Sequence, residues 1–137
     1  MLRNVNVKRL IPLILAVLAV ILVSDFLLHT VILGSAYQAT ASLWRTQDDM
    51  KAHMAWLFGG QALAAVFFSI IFAKGYEGQG LPEGVRYGLL IGPFSAAHCL
   101  IQYAVTPMPL SILAAWVAGA IVQAVLAGIA AASVYRR

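Results

Sequence analysis

The chain has 137 residues, of which 62% are hydrophobic and only 10% charged, with a formal net charge of +4. A water-soluble domain carries about a quarter charged residues, so this composition excludes a fully solvated surface and makes a bilayer the natural surrounding medium. The basic balance does not point to nucleic acid either, because no basic helix face and no alternation of aromatic with basic residues accompanies it.

Arg3, Lys8 and Arg9 precede the first apolar run, which gives the N-terminus the look of a secretory signal. The run from Leu10 to Leu33 is longer than the roughly 7–15 residues of a signal core, and three more follow it. It is therefore expected to stay as an anchor, with Gly34-Ser35-Ala36 as the alternative cleavage point. A spanning helix needs about 20 mainly apolar residues. Windows at about 10–33, 52–73, 85–105 and 110–134 meet that requirement and predict one domain. The predicted fold is all-α, an integral membrane bundle of four transmembrane helices.

Three connections separate the windows. The first, with Trp44 and Asp48-Asp49, is expected to carry a short interfacial helix. Gly75, Gly78, Gly80 and Pro82 interrupt the second, where Glu77, Glu83 and Arg86 read as a solvated turn. The third, Thr106-Pro107-Met108-Pro109, is a tight turn between antiparallel neighbours. Lys and Arg are retained on the cytoplasmic side of a bacterial-type inner membrane. An N-in, C-in topology puts Arg3, Lys8, Arg9, Lys74, Arg86, Arg136 and Arg137 inside and leaves only Arg45 and Lys51 outside. Trp44, Trp56 and Trp116 then fall near the outer boundary, where amphipathic rings prefer to sit.

Ala55-Trp56-Leu57-Phe58-Gly59-Gly60 opens the second window and Ala115-Trp116-Val117-Ala118-Gly119-Ala120 the fourth. A duplicated helical hairpin would explain the likeness. Lipid removes most of the hydrophobic drive for helix association, so close backbone approach must replace it. Gly84, Gly88, Gly92 and Ala96 recur every four residues on the third helix, as do Ala120, Ala124, Gly128 and Ala132 on the fourth. These stripes either pack the bundle or dock a second copy or another membrane protein. Pro93 removes one backbone bond and is expected to kink the third helix, which would aim His98 inward.

Asp25 is the strongest functional candidate, because a carboxylate in hydrocarbon costs at least about 2.5–3.5 kcal/mol and turns toward a partner. His29 follows four residues later, on the same helical face. Counting about 1.5 Å per residue places Asp25, His29, Gln61, His98 and Gln102 in one layer of the outer half, with Tyr37 and Tyr103 at its rim and Gln123 nearer the middle. Such a layer suits a proton, a cation or a small polar solute, as in a transporter or channel component. The competing reading is interhelical glue worth about 0.6 kcal/mol per hydrogen bond.

A pair formed by His29 and His98 is the alternative as haem or metal ligands. The group Met50, His53, Met54 and Met108 has the softness that Cu(I) favours. Neither carries a recognised spacing, so no cofactor or resident metal is expected. Cys99 is the only cysteine, which excludes an intramolecular disulfide. No phosphate loop, GxSxG or HExxH motif is present, so a non-enzymatic role is expected.

Ser24-Asp25-Phe26-Leu27-Leu28-His29, Tyr37 with Trp44-Arg45, Gly80-Leu81-Pro82-Glu83-Gly84-Val85-Arg86-Tyr87-Gly88 and Trp116 together give the chain a pattern. It resembles the small four-helix bacterial inner-membrane proteins classed as domains of unknown function. The resemblance implies the fold and the membrane location and brings no activity or catalytic residue with it.

Overall fold

The computed structural model describes residues 5–135. Arg3, Arg136 and Arg137, which enter the charge argument above, lie outside the described residues. Helix α1 (Val7–Phe26) continues without a break into a π-helical turn, Leu27–Ile32. Two short helices follow, α2 (Gly34–Ala39) and α3 (Gln47–Ala52), with a 3₁₀ turn at Ala41–Leu43 between them. The remaining helices are α4 (Met54–Gly75), α5 (Leu81–Val105) and α6 (Leu110–Val134). The four long helices are each apolar and long enough to cross a bilayer, and no strand occurs among the described residues. The protein is an all-α membrane bundle.

Local chemistry accounts for the helix ends. Asn6 caps α1, its side-chain oxygen accepting from the Arg9 N–H at 3.3 Å. Thr46 caps α3 in the same way through the Asp49 N–H, and Asp48 and Asp49 sit where the helix dipole favours negative charge. The Arg45 guanidinium, 2.7 Å from Asp49, holds that carboxyl below its ordinary range. The pair is therefore intact at neutral pH and is lost as the pH falls below the usual aspartate range. Gly78 and Gly80 take φ of 81° and 72°. These left-handed values let the chain reverse before α5. α5 starts at Leu81, four residues ahead of the sequence estimate.

Packing is unequal around the bundle. Gly84, Gly88 and Gly92 of α5 are all buried against α6. A Cβ built on Gly84 would collide with the Gly128 carbonyl, and one on Gly88 with the backbone of Ala124 and Val125. One on Gly92 would stand 2.9 Å from the Ile121 Cα. The small-residue stripes of α5 and α6 are thus spent on each other. Ala120 is the exception on the α6 stripe, because it lines a cavity instead.

α1 packs between α6 and α4. Leu10, Leu13, Val17 and Ile21 meet Ala65, Phe72 and Ala73 of α4 and Ala127, Ala131 and Ala132 of α6. This core occupies the end of the bundle that holds both termini. Tyr135, fully buried, closes it by accepting the Asn6 N–H on its hydroxyl at 2.9 Å. Tyr87 ties α5 to α4 there, donating to the Phe68 carbonyl at 2.8 Å with its ring against Phe68 and Phe72. Toward the opposite, distal end α4 has no buried residue before Ala65. Trp56 is 81% exposed, whereas Trp116 packs within the distal cluster. The two motifs that suggested a duplicated hairpin therefore sit in different surroundings. Outward-facing side chains such as Ile11, Leu15, Leu90 and Phe94 are apolar, as lipid contact requires.

The connection between α4 and α5 is more than a solvated turn. Glu83 is only 6% exposed, and its two carboxylate oxygens accept from the Glu77 N–H at 2.6 Å and the Gln79 N–H at 2.8 Å. Glu77 and Arg86 form a surface pair at 3.0 Å. A carboxylate in the first turn of a helix also suits the dipole. Glu83→Gln leaves a single acceptor for two donors and is expected to cost about 1–2 kcal/mol. Limited proteolysis checks it, with cleavage near Gly78–Gly80 accelerating in the variant.

Candidate functional site

Among the described residues, α1 carries the one acidic side chain in the interior of a span, Asp25. It lies about 10 Å short of the π-helical end at Ile32, by the rise per residue. Two neighbouring helices turn carboxamides toward it. Gln61 of α4 donates from Nε2 to Oδ2 at 2.6 Å, and Gln123 of α6 donates from Nε2 to Oδ1 at 2.7 Å. The second Gln123 hydrogen reaches Ser24 Oγ at 2.8 Å. Ser24 can accept it because its own hydroxyl donates to the Val20 carbonyl at 2.6 Å. All of these donors are neutral. The Gln61 Oε1 atom is buried and has no donor.

The helix changes pitch immediately after Asp25. The Leu33 N–H donates to the carbonyl of Leu28, five residues back, at 2.9 Å. This π-type spacing inserts one residue per turn, and such turns gather at functional sites. His29 lies within this turn and lines the same cavity as Asp25. His29 shares a hydrogen bond with the Tyr37 hydroxyl at 2.6 Å and none with Asp25. Tyr37 also accepts the Trp116 indole N–H at 2.7 Å. Indole only donates, so the Tyr37 oxygen acts as acceptor toward Trp116 and keeps both a proton and a second lone pair with which to meet His29 Nδ1. Burial pushes the Tyr37 phenol up, and the Trp116 bond opposes that only in part. Trp44 completes the distal cluster, with its ring 5.3 Å from Tyr37 and 5.9 Å from Trp116.

Between these two groups lies an open cavity of about 220 Å³, with Asp25, Leu28, His29, Trp116, Ala120 and Gln123 on its walls. Of the expected polar layer, the structure brings together Asp25 and Gln61 by a direct bond and places His29 on the same cavity. It leaves His98 and Gln102 outside, both exposed on α5, with Gln102 bonded to Thr106 at 2.7 Å. The reason is the glycine stripe. Gly84, Gly88, Gly92 and Ala96 must face α6. His98 follows Ala96 by two residues, roughly 200° around the helix. Pro93 lies within α5 without ending it, and it does not turn His98 inward. Cys99 reaches the cavity in its place.

His29 and His98 are not brought together as a ligand pair, and among the described residues no group of three or more His, Cys, Asp and Glu could hold a metal ion. The soft-ligand group is dispersed as well. Met108 is buried against Leu33 and Ile112, while His53 bonds within its own turn to Asp49. Gln123 is the residue the depth estimate undervalued. Its signal was present in the sequence, a lone carboxamide amid the apolar run of α6.

No family model, curated protein or solved structure matches this chain. The resemblance to small four-helix inner-membrane proteins is supported as far as the four spanning helices. The site stands on its own residues.

Tyr37→Phe removes the acceptor of the Trp116 indole and the hydrogen-bond partner of His29 together. The expected loss is about 1 kcal/mol per bond. The indole N–H resonance of Trp116 in micelles checks it, moving upfield when its acceptor is removed.

Proposed function

We propose that this protein is a multi-pass inner-membrane protein that binds a proton, a cation or a small polar solute at Asp25, in the manner of a transporter or channel component. The observation that carries this reading is the make-up of the cluster: an acidic side chain inside a spanning helix, hydrogen-bonded only by neutral carboxamides, beside a cavity. Two neutral donors solvate the charge without cancelling it. The unmet Gln61 Oε1 adds a buried acceptor with no donor. A proton or a cation supplies what the cluster lacks. A purely structural network would be expected to close its own valences, as buried polar groups generally do.

The orientation proposed is N-in and C-in, supported by the excess of Lys and Arg on the termini side. Asp48→Cys and Lys8→Cys, each in a Cys99→Ser background, should react with an impermeant maleimide from opposite faces of the membrane, the Asp48 position from outside intact cells.

Binding is tested on the full chain in lipid nanodiscs by calorimetric titration with cations at neutral pH, together with proton release. Saturable binding or proton exchange that disappears in Asp25→Asn supports the reading. Identical titrations for the two proteins would refute it.

A further inference from the structure

Resting on the reading that Asp25 is a binding site, we infer that its ligand is a small methylated ammonium ion, a choline-sized organic cation, and not a bare metal ion. The lining of the cavity decides between these classes. A metal ion needs a cage of oxygens, six to eight for Ca²⁺ and a full octahedron for Mg²⁺. The side-chain oxygens on the cavity are those of Asp25 and Gln123 alone, and both Asp25 oxygens already accept an amide N–H. His29 adds at most one ring nitrogen, because its Nδ1 is engaged by Tyr37. A primary ammonium, with three N–H donors to satisfy, is poorly matched for the same reason.

A methylated ammonium asks for one negative charge and a wall of apolar and aromatic surface. The cavity supplies both. Asp25 provides the charge at one side, and Leu28, Gly119 and Ala120 provide the apolar wall. Trp116 lines the cavity with its N–H committed to Tyr37 and its ring packed beside His29 and Trp44, so it adds aromatic surface to the wall. Indole is the best of the side-chain faces for a cation, and quaternary ammonium groups are recognised in this way. Size narrows the class further. The cavity holds about 220 Å³. Sites for drug-sized ligands typically enclose roughly 300–1000 Å³, so a compact cation fits here and a large lipophilic one does not.

The test titrates the full chain in nanodiscs with choline, with 3,3-dimethyl-1-butanol as its uncharged isostere, and with Na⁺ and Mg²⁺, reading heat and tryptophan emission. Choline should bind saturably and the isostere at least about 10-fold more weakly. Trp116→Leu, which keeps the carboxylate, should weaken choline about 5- to 30-fold. Ala120→Leu should abolish binding by filling the cavity, and it serves where Asp25→Asn does not fold. Equal binding of choline and its isostere overturns the inference. So does metal-ion or proton binding lost in Asp25→Asn without any choline binding, and that result leaves the Asp25 site itself standing. Absence of every ligand and of proton exchange from the wild-type protein overturns both.

Discussion

Gly88→Leu is expected to unseat the α5–α6 hairpin and to cost at least about 3 kcal/mol, the upper part of the range for overpacked interiors. The first atom beyond the Gly88 Cα would meet backbone of Ala124 and Val125. Backbone cannot step aside as a flexible side-chain tip does. The whole contact runs through Gly84, Gly88, Gly92 and Gly128, so displacement at one position separates the others. Unfolding in mixed micelles followed by circular dichroism measures the loss. Gly59→Ala is the control, because nothing lies within 4 Å of its added carbon. An unchanged or slightly raised midpoint is expected there, since alanine is the better helix former. A Gly88→Leu protein as stable as wild type would mean that the two helices are not in backbone contact.

Asp25 variants should divide stability from binding. Asp25→Ala strands the Nε2 donors of Gln61 and Gln123. It is expected to cost about 1–3 kcal/mol, at the scale of a lost buried acceptor and moderated by the small worth of interhelical bonds in lipid. Asp25→Asn keeps the shape and one acceptor, and its new amide can donate to a Gln61 that turns its Oε1 inward. Its stability should lie near that of wild type. Cation binding should nonetheless fall at least about 30-fold, as when one member of a close charge pair is removed. Parallel unfolding and calorimetric titrations separate the two effects. Loss of stability in Asp25→Asn with binding intact would reverse the roles assigned here.

The four spans were legible because length and hydropathy suffice to identify a helix that lipid must surround. The glycine stripe was legible as a packing face for the same kind of reason, since few other uses exist for small residues at a four-residue spacing. Depth counting found Asp25 and Gln61, which lie at one level on adjacent helices and bond directly. It could not choose a face. His98 and Gln102 lie exposed on α5, distal to the level of Asp25, because the stripe at Gly88, Gly92 and Ala96 fixes both the rotation and the register of α5 against α6. The π turn after Asp25 was equally invisible, because nothing in the local composition of Leu27–Ile32 marks it. Glu83 was misread as solvated because its partners are backbone N–H groups, which carry no sequence signature.

Everything functional here depends on the Asp25 carboxyl group meeting a proton or a cation at the cavity beside it. Solid-state NMR of the Asp25 side-chain carboxyl carbon in bilayers observes that group directly, with and without added cation. A resonance at the position of a carboxylate or shared proton that moves saturably on addition is the predicted result. A resonance that neither titrates nor responds to any cation would contradict the account and leave Asp25 as a structural tie between α1, α4 and α6.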